Sequence, residues 1–368
     1  MELPGFEQPR GGFEQARLLE LRRRTFDVSA LRGIEFIEVE ARTVINHVPG
    51  ERLPFSWTIN PYRGCSHACV YCFARATHWF LNLGAGRDFE TKILVKVNVV
   101  EVLRAQLAAR RWKGEQIAMG TNTDPYQAAE GQYRLMPGIL RALIDFRNPF
   151  SILTKGTMLL RDLDLLCAAA QVTDVRTSYS IGSLDEHAWR LAEPRTPHPR
   201  KRLEAVAELN RSGIPCGVLM APILPGINDD PETLKRTAEA AVMAGATHVY
   251  PILLHLRPRV KEVFMDWLGR EFPGLVPRYE EMYGGGAYAS AAQRRAVVVS
   301  VDGAAAEPRP GPARPRRDVP QSANPSARDS AEQLPLMETG TGGFGSGRSP
   351  NARQWARAPA RGAAGQPP

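Results

Sequence analysis

The feature that most constrains the fold of this 368-residue chain is an alternation running from residue 93 to residue 253. Short apolar runs recur, and each is followed by a segment whose apolar residues repeat every three or four positions, which is the rhythm of strand, helix, strand, helix. Run 93–97 precedes a helix with Val99, Leu103 and Leu107 on one face. Run 116–119 precedes one marked by Ile139, Leu140, Leu143 and Ile144, and run 150–153 one marked by Leu160, Leu163, Leu166 and Cys167. Run 175–181 leads to a helix over 200–212, with Leu203, Val206 and Leu209 inward and Gly213 as its stop. Run 214–219 leads to a helix capped by Asp229 or Asp230, with Pro231 in its first turn and Gly245 at its end. Run 248–253 closes the series. Strands joined through helices run parallel, because the crossover returns the chain to the same end of the sheet. Six or so such units, short of the eight that close a barrel, predict an α/β fold: an open, partial (β/α)6 barrel of the TIM type.

The flanks differ. Residues 1–28 are polar, with a short helical pattern at 14–24, and predict a poorly ordered start. Partial alternation over 34–46 suits an accessory strand or hairpin, and 55–59 a first strand of the main series. The domain is expected to span 29–284, with its core at 55–254. Its helical end at 258–284 is broken by Pro273 and Pro277 and is expected across the open side or the bottom of the barrel. From 285 the composition turns to Ala, Gly, Pro, Arg and Ser, as in a mostly disordered tail over 285–368. Run 296–301 reads as a lone strand there, and 303–368 as disordered.

The formal charge is +8, but from residue 285 onward eleven Arg and no Lys face six acidic residues, a surplus of five that leaves +3 for residues 1–284. The folded part is therefore only mildly basic, and the tail reads as a solvated one. The five cysteines are three clustered and two isolated, Cys167 and Cys216, unlike a secreted disulfide framework. The N-terminus lacks the apolar core of a signal peptide, and no stretch has the length of a membrane span. The expected compartment is the cytoplasm, with no membrane partner.

Residues 60–75 carry the chemistry. They place Cys65, Cys69 and Cys72 in a C-x3-C-x2-C spacing, with Tyr71 just before the last cysteine. Three thiolates from one loop can hold three corners of a [4Fe-4S] cube and leave the fourth iron open to a small molecule. The other reading is a structural zinc site with His67 as the fourth ligand. That reading makes the chain a non-enzymatic binding module for nucleic acid.

The three cysteines and the aromatic residue resemble the hallmark C-x3-C-x-aromatic-C of the radical SAM enzymes. The resemblance implies a [4Fe-4S] cluster and S-adenosylmethionine (SAM) as cofactors, a (β/α)6 barrel, and reductive cleavage of SAM to a 5'-deoxyadenosyl radical that abstracts hydrogen. It also implies an electron donor such as flavodoxin or ferredoxin, and a place for Tyr71 near the adenine.

In parallel β/α folds the loops at the carboxyl ends of strands form the active face. Here those ends carry Thr121, Asn122, Thr123 and Asp124 after run 116–119, and Thr154, Lys155 and Gly156 after run 150–153. Ser178 and Ser180 lie on run 175–181, followed by Glu193, Pro194, Arg195, Thr196 and later Arg202. Ala221, Pro222 and Ile223 follow run 214–219. In this order the pieces resemble the spore photoproduct lyase branch and the DNA-repair-photolyase-like proteins grouped with it, over about 60–254. The resemblance implies SAM contacts from Thr123, Lys155, Ser180 and Ala221, with Thr121, Asp124 and Ser178 beside them, and extends to nucleic acid as the substrate class. That branch uses a cysteine as hydrogen donor on the segment matching 120–124. This chain has none there, and Thr121 stands about where it falls.

Overall fold

The structure, a computed structural model, describes residues 22–48 and 53–305. Strands are β1 (Arg23–Arg24), β2 (Glu35–Val39), β3 (Ile45–His47), β4 (Trp57–Ile59), β5 (Tyr62–Arg63) and β6 (Lys92–Lys96). Then come β7 (Ile117–Met119), β8 (Phe150–Thr154), β9 (Val175–Ser180), β10 (Cys216–Ile223) and β11 (Val249–Leu253). Helices are α1 (Arg87–Thr91), α2 (Val99–Leu107), α3 (Glu130–Tyr133), α4 (Leu135–Asp145), α5 (Leu163–Val172) and α6 (Glu186–Ala192). They continue with α7 (Pro199–Arg211), α8 (Pro231–Met243), α9 (Val260–Glu271), α10 (Val276–Tyr283) and α11 (Ala291–Ala305).

The main sheet has the order β11-β10-β9-β8-β7-β4-β3. Its six strands from β4 to β11 are parallel, and β3 pairs antiparallel with β4 at one edge. One face of it is apolar: Ile117, Met119, Phe150, Ile152, Val218 and Met220 are fully buried and share a core with Ile139, Leu143, Leu166, Val206 and Leu209 of the helices. Each such aliphatic side chain contributes roughly 2 kcal/mol by leaving water. Strand alternation turns Ser151, Ser178, Ser180, Gly217 and Ala221 to the other face, which is the interior of the open barrel.

Helix ends follow local rules. Asp230 caps α8, its Oδ1 accepting from Thr233 N at 2.9 Å, and Pro231 begins the first turn. Gly213 and Gly245 follow α7 and α8 with φ of +82° and +79°. Asp229 instead accepts from Gly226 N.

Four expectations change. Run 93–97 is strand β6, but it lies in a second sheet of order β1-β2-β6-β5. Ile93 and Val95 join the main core while Leu94 packs with Ile37 and Leu81 on the other side, so the run is buried on two faces without belonging to the barrel. Of the two readings of 34–46, the accessory strand holds and the hairpin does not: β2 pairs parallel with β6, and β3 seals the edge at β4. Run 296–301 is helical within α11, because Val297 and Val301, four apart, form the inward stripe. The ordered chain therefore extends past 285 and includes 303–305, and at the other end it begins by residue 22, with β1 where a helix was expected. The remainder of the expected poorly ordered start, including 14–21 of its helical pattern, and the expected disordered tail beyond 305 lie outside the described residues.

Pro277 sits in the first turn of α10 rather than breaking a helix, and Pro273 opens a short 3-10 turn. Within the expected 258–284 segment, α10 packs at the carboxyl ends of β10 and β11 and not on the bottom of the barrel. The Tyr283 hydroxyl donates to Leu254 O at 2.7 Å just after β11, and Leu275 and Arg278 lie against Gly226 after β10. No helix among the described residues is long and apolar enough to cross a membrane.

Candidate active site

The cysteine loop leaves β5 through Gly64, whose φ is +89°. A Cβ there would meet Lys92 O and Phe89 O at 3.0 Å, so the chain passes too close to its neighbours for a side chain. Cys65 N then donates to Phe89 O at 3.0 Å, and Cys72 N to Cys69 O at 3.3 Å. Two buried polar side chains carry the loop's backbone. Gln127 accepts from Ser66 N at 2.9 Å and donates to Gly64 O at 3.0 Å. Arg75, fully buried, donates to Cys69 O at 2.8 Å, to Ala68 O at 3.0 Å and to the carbonyls of Ala85 and Gly86. Its charge is balanced by Glu90.

All three loop cysteines are reduced, with Cys65 and Cys69 buried and Cys72 half-buried. Burial pushes each thiol above its ordinary value, Cys69 to about 12, and at Cys65 the neighbouring Asp124, Cys69 and Cys72 push the same way. The thiols are thus close enough to oppose one another's ionisation, and a bound cation would relieve that opposition. Among the described residues no three His, Cys, Asp or Glu side chains are already gathered in metal-holding geometry. Two buried oxygens near the loop, Asn60 Oδ1 after β4 and Asn122 Oδ1 after β7, lack a hydrogen-bond partner. Unsatisfied buried acceptors of this kind suit a polar ligand lodged between loop and strand ends. The three-thiol donor set and these acceptors fit an iron-sulfur cluster with a small polar molecule beside it.

Four residues named from sequence come together here. Lys155, just past β8, donates through Nζ to Ser180 Oγ at 2.7 Å, and the Ser180 hydroxyl donates to Ala221 O at 2.8 Å. The Lys155 ammonium stands 5.7 Å from the centre of the Tyr71 ring. The Tyr71 hydroxyl donates to Glu193 Oε1, whose carboxylate also binds Arg202. Burial raises the Glu193 carboxyl, but Arg202, Lys155 and the Tyr71 hydroxyl outweigh it and hold the group below its ordinary range. Beside Tyr71 a cleft is lined by Gly182, Trp189, Glu193, Pro222, Leu224 and Asn228.

The other named residues are placed differently. Asp124 is a brace: its Oδ1 accepts from Thr154 Oγ1 at 2.6 Å and Tyr126 N at 2.8 Å, and its Oδ2 from Lys155 N at 2.7 Å. His67 Nδ1 lies 3.4 Å from Oδ2, so the histidine that a zinc site would recruit is turned to a carboxylate. Burial raises the Asp124 carboxyl, yet His67 and the hydrogen bonds bring it down to about 2. The Thr123 hydroxyl donates to Tyr62 O at 2.7 Å. Thr121 is half-buried on the same turn. Ser178 lies one pleat below Ser180, its Oγ 3.5 Å from His248 Nε2, away from the loop. The sequence marks Glu193 and Arg202 only as parts of an ordered pattern and does not single out Arg75 or Gln127. The signal for all four is burial of a charged or amide group, which a single sequence does not display.

The family model of the radical SAM superfamily matches residues 59–238. An uncharacterized protein of Mycobacterium tuberculosis is 48% identical over 257 residues, covering 70% of this chain and 76% of that one. Another, of Methanocaldococcus jannaschii, is 31% identical over 198 residues, 53% of this chain and 70% of that one. Among solved structures, spore photoproduct lyase with bound AdoMet and dinucleoside spore photoproduct superposes with a TM-score of 0.55 at 16% identity, covering 78% of this chain and 84% of that one. The chain belongs to the radical SAM superfamily. It is an enzyme of that class, with a [4Fe-4S] cluster and SAM as its cofactors.

Proposed function

We propose that Cys65, Cys69 and Cys72 are the three protein ligands of the cluster and that Lys155, Ser180, Ala221 and Tyr71 hold SAM beside it. The observation that carries this is their convergence: four residues from four separate segments meet through Ser180, Glu193 and the Tyr71 ring on the cysteine loop. Bound together, cluster and SAM supply reductive cleavage to methionine and a 5'-deoxyadenosyl radical, chemistry that belongs to the cofactors. The protein's part is placement. The Lys155 ammonium suits the SAM carboxylate, the Asn122 amide oxygen is an acceptor for its ammonium group, and the cleft beside Tyr71 takes its planar base. Thr121 borders that position, while Asp124, Thr123 and Ser178 support it from outside.

The substrate we propose is a nucleic acid, and the reductant a one-electron donor such as flavodoxin or ferredoxin. Support for the substrate class is the likeness of fold to spore photoproduct lyase, together with Trp79, 48% exposed with the Arg259 guanidinium 3.8 Å from its ring, as a base-stacking surface. The hydrogen donor is not a cysteine of the kind used in that branch: Cys216 is buried in β10 among core residues, and Cys167 is half-buried on α5, 3.9 Å from Ser212 O.

Anaerobic reconstitution with iron and sulfide tests the reading. The expected product is a brown protein with about four irons, which on reduction releases methionine and 5'-deoxyadenosine from SAM. Cys72→Ala abolishes cluster and cleavage, whereas Cys167→Ala and Cys216→Ala keep both. Tight zinc with no SAM cleavage would refute it. Transfer of deuterium from a labelled oligonucleotide into 5'-deoxyadenosine decides the substrate class.

A further inference from the structure

Arg202, Glu193 and Lys155 form a set of three charges in which a buried carboxylate stands between two cations. Arg202, on α7, is fully buried. Its Nη2 reaches Glu193 Oε2 and Thr196 Oγ1 at 2.5 Å each, Nη1 donates to Ser180 O at 2.9 Å, and Nε to Pro197 O at 2.8 Å. The Tyr71 hydroxyl occupies Oε1, so both carboxylate oxygens are engaged. Lys155 Nζ is 4.0 Å from Oε1, outside hydrogen-bond range, and its bond to Ser180 Oγ uses one of an ammonium's three donors. The other nearby carboxylate, Asp124, takes the Lys155 backbone N–H and faces His67.

Resting on the reading of Lys155 as the contact for the SAM carboxylate, we infer that Arg202 is a positioning residue: by neutralising Glu193 it keeps Lys155 available to that carboxylate. With Arg202 present the set has a net charge of +1 and accepts one more anion. Without it Glu193 and Lys155 are left as an opposite pair in a poorly solvated site, where attraction at this distance is several-fold stronger than in water. They close on each other, and an incoming carboxylate must then displace Glu193.

The experiment is SAM affinity by equilibrium dialysis on cluster-reconstituted protein. Arg202→Met is expected to weaken binding roughly tenfold or more, and Arg202→Met with Glu193→Gln, where no carboxylate competes, to recover to within about threefold of wild type. Recovery is the signature, since a purely structural arginine leaves the double variant at least as weak as the single one, and that result overturns the inference. Arg202→Gln, which keeps an amide donor for Ser180 O, asks the same question if the methionine variant does not fold. Lys155→Met separates the two claims. If it binds SAM as wild type does, the reading of the site falls and the inference with it. If it binds weakly and the double variant does not recover, only the inference about Arg202 falls.

Discussion

Single residues set the distances between the segments of the site. Gly120 ends β7 with φ of +81°, and a Cβ on it would lie 1.7 Å from the carbonyl oxygen of Leu153. That contact is to backbone of the neighbouring strand, so it cannot be relieved by a side-chain rotation. Gly120→Ala is therefore expected to destabilise the cluster-free protein by roughly 2–4 kcal/mol, through a left-handed φ and a displaced strand. The urea midpoint measures it, and a change below about 0.5 kcal/mol would show the strands to be mobile there. Asp124 works at the same scale. One carboxylate ties the β7 turn, the end of β8 and the cysteine loop together.

At the scale of elements, the helix α11 is the instructive one. It packs against α8 and β11, with Val301 fully buried. Val301→Asp places an unpaired charge in that contact and is expected to cost roughly 3 kcal/mol or more, lowering the melting temperature, whereas the same change at the exposed Val299 is nearly silent. Equal effects at both positions would mean that α11 does not depend on this packing. The cysteine loop is likewise held by other elements: Arg75 from the 3-10 run Phe73–Leu81 and Gln127 from the segment before α3 supply its backbone partners.

For the whole molecule, buried histidines set the acid limit. His78 donates through Nε2 to Lys92 O at 2.9 Å, leaving Nδ1 buried without a partner, and His255 Nε2 is buried in the same condition. Burial lowers both imidazoles to about 4, with Arg63 near His78 and Arg257 near His255 acting in the same direction. An unfolded histidine takes up its proton near pH 6.5, so between about 6.5 and 4 the unfolded state binds protons that the folded state refuses. Stability of the cluster-free protein should therefore fall as pH drops through that window, by roughly 3 kcal/mol per histidine at its end. Asp124, held near 2, adds a further loss below about pH 4 as it becomes protonated. Melting temperature against pH checks this, and a flat profile from 6.5 to 4 would contradict it.

The alternation of apolar runs and the cysteine spacing determined, from sequence alone, the parallel β/α architecture, the limits of α7 and α8, and the cysteine loop. These are local patterns: periodicity reports which face of an element is buried, and three cysteines within eight positions are neighbours however the rest folds. Periodicity does not say which sheet a buried run joins, so from sequence β6 reads as a barrel strand and run 296–301 as a lone strand. Nor does it say which polar side chains of the strand ends have spare hydrogen bonds. Lys155, Ser180, Ala221 and Tyr71 are nameable from sequence as candidates because each lies at or near a strand end or within the cysteine motif. Glu193, Arg202, Arg75 and Gln127 show their partners only in three dimensions, where a buried charge or amide must be satisfied and those partners lie up to 122 positions away.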